Sequence, residues 1–474
     1  MDMTVGDVLE ATDGSLLQGA ADTPVNGVTR DSNGVKPGDV FFAIPGERYD
    51  GHCFVAAALR AGAAAAVVAR WPQGLVTDCP VVMVRDTIAA YGALGAWWRT
   101  RMPATVVGIT GSTAKTTVKE MLALALAAGG PTICSEANHN NHFGVPETLL
   151  RIRPEHRYAV VEMGTNHFGE IPPLACMTRP HVGLITNVGP AHLEAFGSEE
   201  GVAREKATML DYLLPGGVAV LHADDPWSRG IAEWHPGRKV TFGLSRGATW
   251  RAARIRLAND HIAFAVARAG VTVRVPVIGR HQVTNCLAAI AAAAELGVPL
   301  REAAERLGDF KPPKWRMEVR HAGRLTVLLD CYNANPASMG AALDELARRR
   351  GRRVAVLGDM LELGQTSEAA HRAIGRAVAQ AGIQLLCAVG VQSAALADEA
   401  IAGGMERGNV LWTPEREAAK GWLCERLAPR DTVLFKASRG MRLEEVADAV
   451  LTWAGRRATP RATRAKASAD ALAG

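Results

Sequence analysis

The chain has 474 residues, of which 48% are hydrophobic and only 5% aromatic, and a chain of this length predicts about three domains. The formal net charge is +5, and residues 456–474 contribute five Arg or Lys residues against one Asp. The rest of the chain is therefore close to neutral, which argues against an extended nucleic-acid-binding surface.

Cysteine spacing and hydropathy indicate where in the cell the protein is expected to lie. The eight cysteines form no Cys-x-x-Cys pair and do not cluster, which argues against a disulfide framework or a zinc site. The first residues lack the basic and apolar segments of a signal peptide. No uncharged apolar run reaches the roughly 18 residues that a membrane span needs. We therefore expect a cytoplasmic protein with no membrane span.

The first predicted module, residues 1–100, alternates short apolar segments with helical patterns rich in Ala and Leu. The strand-like segments are Asp39–Ile44, Ala65–Ala69 and Val81–Val84. This alternation predicts a small α/β domain.

The second module, residues 101–313, contains longer buried-type strands. They follow Pro103 and are predicted at Val106–Thr110, Tyr158–Met163, Val182–Asn187, Val218–His222 and Lys239–Gly243. Helical segments separate them, including an alanine-rich helix at Gln282–Leu296, which predicts a mostly parallel sheet.

The third module, residues 314–457, follows the linker Lys311–Lys314. Its strands are predicted at Thr326–Asp330, Val354–Gly358, Leu385–Gly390 and Thr432–Lys436. Helices between them predict a doubly wound, Rossmann-like sheet. Residues 458–474 are predicted to be a disordered basic tail.

The stretch from Val106 to Thr117 has the layout of a phosphate-binding loop, with a strand, a small-residue turn and Lys-Thr at the start of a helix. Backbone N–H groups and the dipole at a helix N-terminus favour an anion. Lys115 would neutralise the outer phosphates and Thr116 would ligate Mg²⁺. Ala114 stands where the motif has glycine, which costs about 1–2 kcal/mol if the backbone there is left-handed. An ordinary strand–turn–helix unit is the alternative.

Polar residues also follow the next predicted strands. Glu162 ends an apolar strand, where a carboxylate lies beside the ligand crevice of a parallel sheet and can hold Mg²⁺; an ion pair with a surface base is the alternative. Asn187 and His192 would share that crevice, although a lone histidine is more often structural or exposed. Lys206 lies in a predicted helix and by composition is a solvated lysine.

Two loops are rich in polar side chains. Asn138–Pro146 packs five of them together, which suits either a polar substrate or a hydrogen-bonded surface turn. Asp330–Ser338 follows a strand of the third module, and helix capping explains Ser338 but not the asparagines and tyrosine beside it.

Together these motifs resemble the Mur ligase family, from about Val25 to about Glu445. The matching stretches are Asp31–Ser32, Gly46–His52, Gly111–Thr117, Asn138–Pro146, Glu162–Gly164, Thr186–Gly197, Gly279–His281 with Asn285, Tyr332–Pro336, Leu357–Gly364 with His371, and Lys436–Met441. Tyr-Asn-Ala-Asn-Pro and Gly-Asp-Met-Leu-Glu-Leu-Gly are specific to the branch that adds D-alanyl-D-alanine.

The resemblance implies an α/β protein of three domains: a small N-terminal α/β domain that binds a UDP-sugar, a central P-loop ATPase domain with a mostly parallel sheet, and a C-terminal Rossmann-like domain. It also implies the reaction, a step of peptidoglycan precursor synthesis. ATP phosphorylates the terminal carboxylate of UDP-N-acetylmuramoyl-tripeptide, and the amine of D-alanyl-D-alanine attacks the acyl phosphate. Lys115 and Mg²⁺ would offset the repulsion between the two anions.

Residue roles follow from the same resemblance. The implied catalytic residues are Lys115, His192 and Lys206. Nucleotide contacts would be Gly111, Ser112, Thr113, Ala114, Lys115, Thr116, Thr117, Asn285, Arg316 and Asp330. Thr116 and Glu162 would hold one Mg²⁺, and His192 with a carbamylated Lys206 would hold or orient a second. Substrate contacts would be Asp31, Ser32, Asn138, Asn141, Asn187, Asn333, Asn335, Lys436 and Ser438.

The sequence departs from the family pattern at several positions. Thr113 and Ala114 replace the usual Asn-Gly of the phosphate loop, and Asn33 replaces an arginine. Thr208 stands where an acid follows the lysine motif, and Leu329 replaces one of two tandem aspartates. The phosphate and metal residues are retained, so we predict an active enzyme with weaker nucleotide binding.

Two alternatives remain open. One is another Mur-type amide ligase, such as the tripeptide-forming branch or an enzyme like folylpolyglutamate synthetase, although Tyr332–Pro336 speaks against both. The other is a non-catalytic nucleotide-binding paralogue, supported only by the altered motif positions. We expect a monomer whose domains close around the substrates and bring Asp330 and Lys436 to the nucleotide.

Overall fold

A computed structural model describes residues 1–46 and 48–458. These residues form three main sheets, one in each predicted module, flanked by helices. The α/β class is therefore confirmed, whereas the predicted basic tail lies outside the described residues except for Ala458, which ends the last helix. Within the described ranges, no helix is both long and apolar enough to cross a bilayer.

The first domain is built on a five-stranded sheet. Its elements are β1 (Met3–Thr4), α1 (Val5–Thr12), β2 (Ser15–Gln18), β3 (Pro24–Val25), β4 (Gly27–Thr29), β5 (Asp39–Phe42), α2 (Val55–Arg60), β6 (Ala65–Val68), β7 (Val81–Met83) and α3 (Thr87–Arg101). The order is β2-β7-β6-β5-β4, parallel except for the β2–β7 pair. The three predicted strands are confirmed, and each ends one or two residues before the predicted last residue.

Helix caps define where this domain's helices begin. The Thr4 hydroxyl accepts from Asp7 N at 3.3 Å while the Asp7 carboxylate accepts from Thr4 N at 2.8 Å. This reciprocal pair satisfies two N–H groups at the start of α1. Asp86 likewise accepts from two N–H groups of α3.

The middle domain contains a nine-stranded sheet. Its strands are β8 (Thr105–Thr110), β9 (Thr132–Cys134), β10 (Tyr158–Glu162), β11 (Val182–Ile185), β12 (Val218–His222), β13 (Arg238–Gly243), β14 (Trp250–Leu257), β15 (Ile262–Val266) and β16 (Val271–Val275). Its helices are α4 (Lys115–Leu126), α5 (Gly144–Leu150), α6 (Ile171–Thr178), α7 (Leu193–Phe196), α8 (Glu199–Ala207), α9 (Pro226–Trp234), α10 (His281–Glu295) and α11 (Leu300–Leu307).

The order β16-β15-β14-β13-β12-β11-β8-β10-β9 places the phosphate-loop strand β8 between β11 and β10. Pairs from β9 to β14 are parallel, which confirms the prediction, and β14 to β16 form an antiparallel extension that was not predicted. The carboxyl ends of β8, β10 and β11 therefore meet at one edge.

Small side chains form much of the middle domain's core. Residues 288–293 of α10 are all buried, and five of the six are alanine. They lie in one hydrophobic cluster with Val118, Met121 and Leu122 of α4. The small side chains of α10 therefore let the phosphate-loop helix pack closely against it.

The third domain contains a six-stranded sheet. Its elements are β17 (Glu318–Ala322), β18 (Leu325–Asp330), α12 (Pro336–Ala347), β19 (Arg353–Gly358), α13 (Ser367–Gln380), β20 (Leu385–Val389), α14 (Ser393–Ala402), β21 (Val410–Thr413), α15 (Arg416–Arg426), β22 (Thr432–Lys436) and α16 (Glu444–Ala458). The order is β17-β18-β22-β19-β20-β21, and only the β17–β18 pair is antiparallel. The predicted strands and doubly wound arrangement are confirmed.

The antiparallel extension of the middle domain contacts the third domain. Arg348 Nη2 donates to Leu257 O at 2.8 Å, and Arg349 Nη1 donates to Asn259 O at 3.0 Å. These bonds join the two residues that follow α12 to the end of β14 and the β14–β15 turn, and they help to position the two domains about the cleft between them.

Candidate active site

A cleft of about 1060 Å³ lies where the carboxyl ends of the middle sheet face the third domain. Most residues predicted for the site line it: Ser112, Thr113, Ala114, Lys115, Thr116, Thr117, Asn138, Asn141, Glu162, Asn187, His192, Asn285, Arg316, Asp330, Asn333, Asn335, Lys436 and Ser438. Gly111 and Lys206 are not among the lining residues, and neither are Asp31 and Ser32 of the first domain.

The phosphate loop connects β8 to α4. Gly111 has φ +151°, and a Cβ there would lie 1.9 Å from Thr186 Oγ1, so only glycine fits. Ala114 is left-handed, with φ +64° and ψ −1°. The alanine therefore occupies the strained conformation that glycine usually takes in such a loop.

Lys115 is the first residue of α4. Its side chain folds back over the loop, so that the ammonium donates to Gly111 O at 2.8 Å. Burial lowers the Lys115 pKa, while the nearby Glu162 carboxylate raises it. A polyanion in the cleft would favour the charged ammonium further.

Glu162 is buried at the end of β10. Its Oε1 accepts from Thr116 Oγ1 at 3.2 Å and from Asn140 Nδ2 at 2.9 Å. Its Oε2 is buried with no hydrogen-bond partner among the described residues. A carboxylate oxygen left open beside a threonine hydroxyl fits a hard cation such as Mg²⁺. Asn140 was missed as a site residue, although it belongs to the polar loop singled out in the sequence.

Lys206 is 2% exposed, so the interpretation as a solvated helix lysine is wrong. Burial lowers its pKa well below the usual value, and the charge of Lys115 lowers it further. Its amine has no hydrogen-bond or ion-pair partner within the described part of the chain. The neighbouring Glu205 anchors α8 to the start of α6, because its carboxylate accepts from Gly169 N at 2.9 Å and from Ile171 N at 2.8 Å.

His192 sits beyond the phosphate loop in the left-handed conformation, with φ +52°. Burial lowers its pKa, Glu362 opposes this effect, and the cations of Lys115 and Lys206 reinforce it. His192 Nδ1 lies 2.9 Å from Glu362 Oε2 of the third domain. Glu362 was not predicted as a site residue, although it belongs to the Leu357–Gly364 motif.

The third domain brings charged groups to the same cleft. Arg316 Nη2 donates to Thr116 Oγ1 at 3.0 Å, and its guanidinium lies 4.0 Å from the Tyr332 ring centroid. Lys436 Nζ pairs with Asp330 Oδ2 at 2.6 Å. The structure thus brings Arg316 directly to the phosphate loop.

Several residues predicted to contact substrate form hydrogen bonds with neighbouring backbone groups instead. Asn141 Oδ1 accepts from Phe143 N and Gly144 N, as in the surface-turn alternative. Asn335, rather than Ser338, is the N-cap of α12, and Ser338 is its reciprocal capping partner. Helix capping does explain Ser338, as predicted, but through its place at the third helical position and not as the N-cap residue.

Other predicted contacts also have protein partners. Asn333 Oδ1 accepts from Ala334 N, Ser438 Oγ accepts from Leu361 N, and Asn285 Nδ2 donates to Gln282 Oε1. Asn138 is exposed at the cleft. The substrate-binding roles of these residues stay predictions.

Asp31 and Ser32 do not meet the other predicted residues. Asp31 Oδ1 accepts from Asn33 N at 2.9 Å within its own loop. The adjacent Arg30 guanidinium lies 5.1 Å from the Phe143 ring centroid, linking this loop to Asn138–Pro146. Neither Asp31 nor Ser32 lines the cleft, and their role in binding UDP stays a prediction.

Family models match three parts of the chain. They are described as "Mur ligase family, catalytic domain" over residues 24–82, "Mur ligase middle domain" over 109–293, and "Mur ligase, glutamate ligase domain" over 315–439. These matches, and a relative 39% identical over 92% of the chain, show that the chain belongs to the Mur ligase family.

Its relatives identify a particular branch. That first relative, from Escherichia coli, is named UDP-N-acetylmuramoyl-tripeptide--D-alanyl-D-alanine ligase, and the match covers 95% of it. A Mycobacterium tuberculosis protein of the same name is 34% identical, with 95% of this chain and 98% of the relative covered.

Solved structures agree in fold. A MurF crystal structure from Acinetobacter baumannii has TM-score 0.87 and 32% identity, covering 95% of this chain and 99% of that one. MurF from Thermotoga maritima in complex with ADP has TM-score 0.82 and 26% identity, with 92% and 99% covered. The predicted three-domain Mur ligase architecture is confirmed.

Proposed function

We propose that the chain is the ATP-dependent ligase that joins D-alanyl-D-alanine to UDP-N-acetylmuramoyl-tripeptide in peptidoglycan precursor synthesis, releasing ADP and phosphate. Similarity to ligases of that name over more than nine-tenths of the chain supports the assignment. The observation that carries it is the convergence of the Lys115 ammonium, the Thr116 hydroxyl and the Glu162 carboxylate in one cleft.

ATP would bind with its phosphates over the loop 111–117. The N–H groups at the start of α4 face the phosphates, and Lys115 balances their outer charge. Arg316 would approach the same phosphates from the third domain, since it already contacts Thr116. These cations let an anionic carboxylate approach the terminal phosphate and stabilise the charge that moves during transfer.

Thr116 and Glu162 are the residues that would hold Mg²⁺. The unpartnered Glu162 Oε2 is the free oxygen that such an ion needs. A bound Mg²⁺ supplies charge neutralisation on the phosphates. The preference of Mg²⁺ for carboxylate and hydroxyl oxygens together with substrate phosphates supports this assignment.

Lys206 would become a ligand by reacting with carbon dioxide. Its depressed pKa favours the neutral amine, whose lone pair forms an N–C bond to CO₂ with loss of one proton. The product is a carbamate anion, which relieves the repulsion from Lys115. Together with His192 it would hold or orient a second Mg²⁺, to which the carbamate offers the oxygen ligands that this ion prefers.

The acyl phosphate must be shielded from water until the acceptor amine attacks. The third domain lines the cleft opposite the phosphate loop and carries Asp330, Asn333 and Lys436 there. Closure of this domain would exclude water and position D-alanyl-D-alanine.

Three other properties stay predictions. They are the domain boundaries at residues 100, 313 and 457, the monomeric state and a cytoplasmic location.

A phosphate-release assay tests the assignment. Purified protein is given MgATP, D-alanyl-D-alanine and UDP-N-acetylmuramoyl-tripeptide ending in either lysine or a diamino acid. Phosphate release should require both substrates and fall in Lys115→Met. Absence of release with either tripeptide would refute the proposed function, and release with a different acceptor amine would indicate another Mur-type ligase.

A further inference from the structure

The left-handed backbone of Ala114 needs an external cause. With φ +64°, the Cβ of an L-residue crowds the backbone, whereas glycine adopts this region freely. Without restraint, an alanine would move to a conformation with negative φ. Contacts elsewhere in the fold must therefore hold the two peptide planes on either side of Ala114.

Both planes are held by hydrogen bonds. The carbonyl of Thr113, which fixes the plane before Ala114, accepts from Thr186 Oγ1 at 2.7 Å. The carbonyl of Ala114, which fixes the plane after it, accepts from Val118 N at 2.9 Å in the first turn of α4. Because φ and ψ of Ala114 are the rotations between these planes, the two bonds together fix its conformation.

Asn187 holds the residue before Ala114 in place. Thr113 N donates to Asn187 Oδ1 at 3.0 Å, and Asn187 Nδ2 donates to Thr113 Oγ1 at 2.8 Å. The backbone of Asn187 also accepts from Ser112 N at 2.9 Å. Its side-chain oxygen and nitrogen are therefore both used on the phosphate loop, although the sequence predicted a substrate contact.

We propose that Thr186 and Asn187 are positioning residues that clamp the phosphate loop and hold Ala114 in its left-handed conformation. They act through Thr113 rather than on substrate. The clamp compensates for alanine where glycine is usual and keeps the N–H groups of α4 directed at the phosphates. This inference rests on the proposed function in taking the nucleotide as the ligand of the loop.

A double-mutant cycle tests the clamp. Thr186→Val removes the hydroxyl and keeps the shape, and Ala114→Gly removes the need for restraint. We expect Thr186→Val to weaken MgADP binding, measured by calorimetry, at least about tenfold in the Ala114 protein and less than about threefold in the Ala114→Gly background, because coupled residues are non-additive. Thr186→Ser should restore affinity.

Thr110→Val is the matched control. Thr110 is buried at the end of β8, and its hydroxyl has no partner among the described residues. Removing it should leave the affinity for MgADP unchanged in both backgrounds. If Thr186→Val does not fold, Asn187→Ala is used in the same cycle.

The cycle is repeated on the free energy of unfolding without nucleotide, where Thr186→Val should again cost less in the Ala114→Gly background. An equal loss in both backgrounds, or no loss in either, would overturn the clamp. Failure of the unmodified protein to bind MgADP would count against the proposed function instead, because the unfolding measurement still decides on the clamp.

Discussion

His192 of the middle domain pairs with Glu362 of the third, with Nδ1 2.9 Å from Oε2. Both residues are left-handed, with φ +52° and +65°. A histidine predicted at the second metal site is therefore oriented by a carboxylate that belongs to another domain. Movement of the third domain would change the position of this imidazole directly.

Glu362→Gln should lower kcat/KM about 10- to 100-fold, as expected when a group that orients a metal ligand is altered. The Glu362 side chain is 65% exposed, so the free energy of unfolding should change by less than about 1 kcal/mol. Steady-state kinetics and urea denaturation measure the two effects. Glu368→Gln, which alters another exposed carboxylate of the third domain, should change neither. Unchanged kinetics in Glu362→Gln would contradict the orienting role.

Glu162→Gln should abolish the effect of Mg²⁺ on ADP affinity. Without Mg²⁺, the variant should bind ADP at least as tightly as the original protein, because a negative charge near the phosphates is gone. Calorimetry with and without Mg²⁺ gives both values. Glu170 lines the same cleft, but its carboxylate accepts from Asn166 N. Glu170→Gln should keep the Mg²⁺ effect, and a Mg²⁺ effect that survives in Glu162→Gln would rule out Glu162 as the ligand.

Lys206 should carry a carbamate in solution. Incubation with ¹³C-bicarbonate should give a carbamate carbon signal in NMR spectra, absent from Lys206→Arg, which should also lose activity. Lys119 is an informative control because it is equally buried, yet its ammonium donates to Ser135 O and Ala137 O and pairs with Glu120. Its replacement by arginine should leave the signal in place. A signal that persists in Lys206→Arg would place the carbamate elsewhere.

The free energy of unfolding should fall as pH drops below about 6.5. Burial lowers the pKa of His181, His192, His222 and His281. The unfolded chain therefore binds more protons than the folded one between the unfolded and folded pKa values, so stability rises with pH across that window. Each histidine contributes at most about 1.4 kcal/mol per pH unit.

Urea denaturation between pH 8 and 5.5 measures this slope. His281→Gln should reduce it, whereas His167→Gln, which replaces a side chain that is 72% exposed, should not. Stability that is flat or rises on acidification would contradict the prediction.

The parallel strands were predictable because they are buried on both faces and read as continuous apolar runs. The extension β14–β16 was not, because its outward positions carry exposed residues such as Arg254 and Arg274 that interrupt such runs. The sequence also left open whether Asn335 or Ser338 is the N-cap of α12. Both residue types cap helices, and only the observed backbone decides which one lies at the helix end.

The sequence by itself determined the chemical groups of the site and the strands that carry them, since strand–loop–helix patterns and the order of motifs are local properties. Tertiary structure decided which groups act together. The burial of Lys206, the left-handed Ala114 and the His192–Glu362 pair each depend on segments distant in the chain. Desolvation, imposed backbone conformation and cross-domain contact are set by packing, which local sequence does not encode.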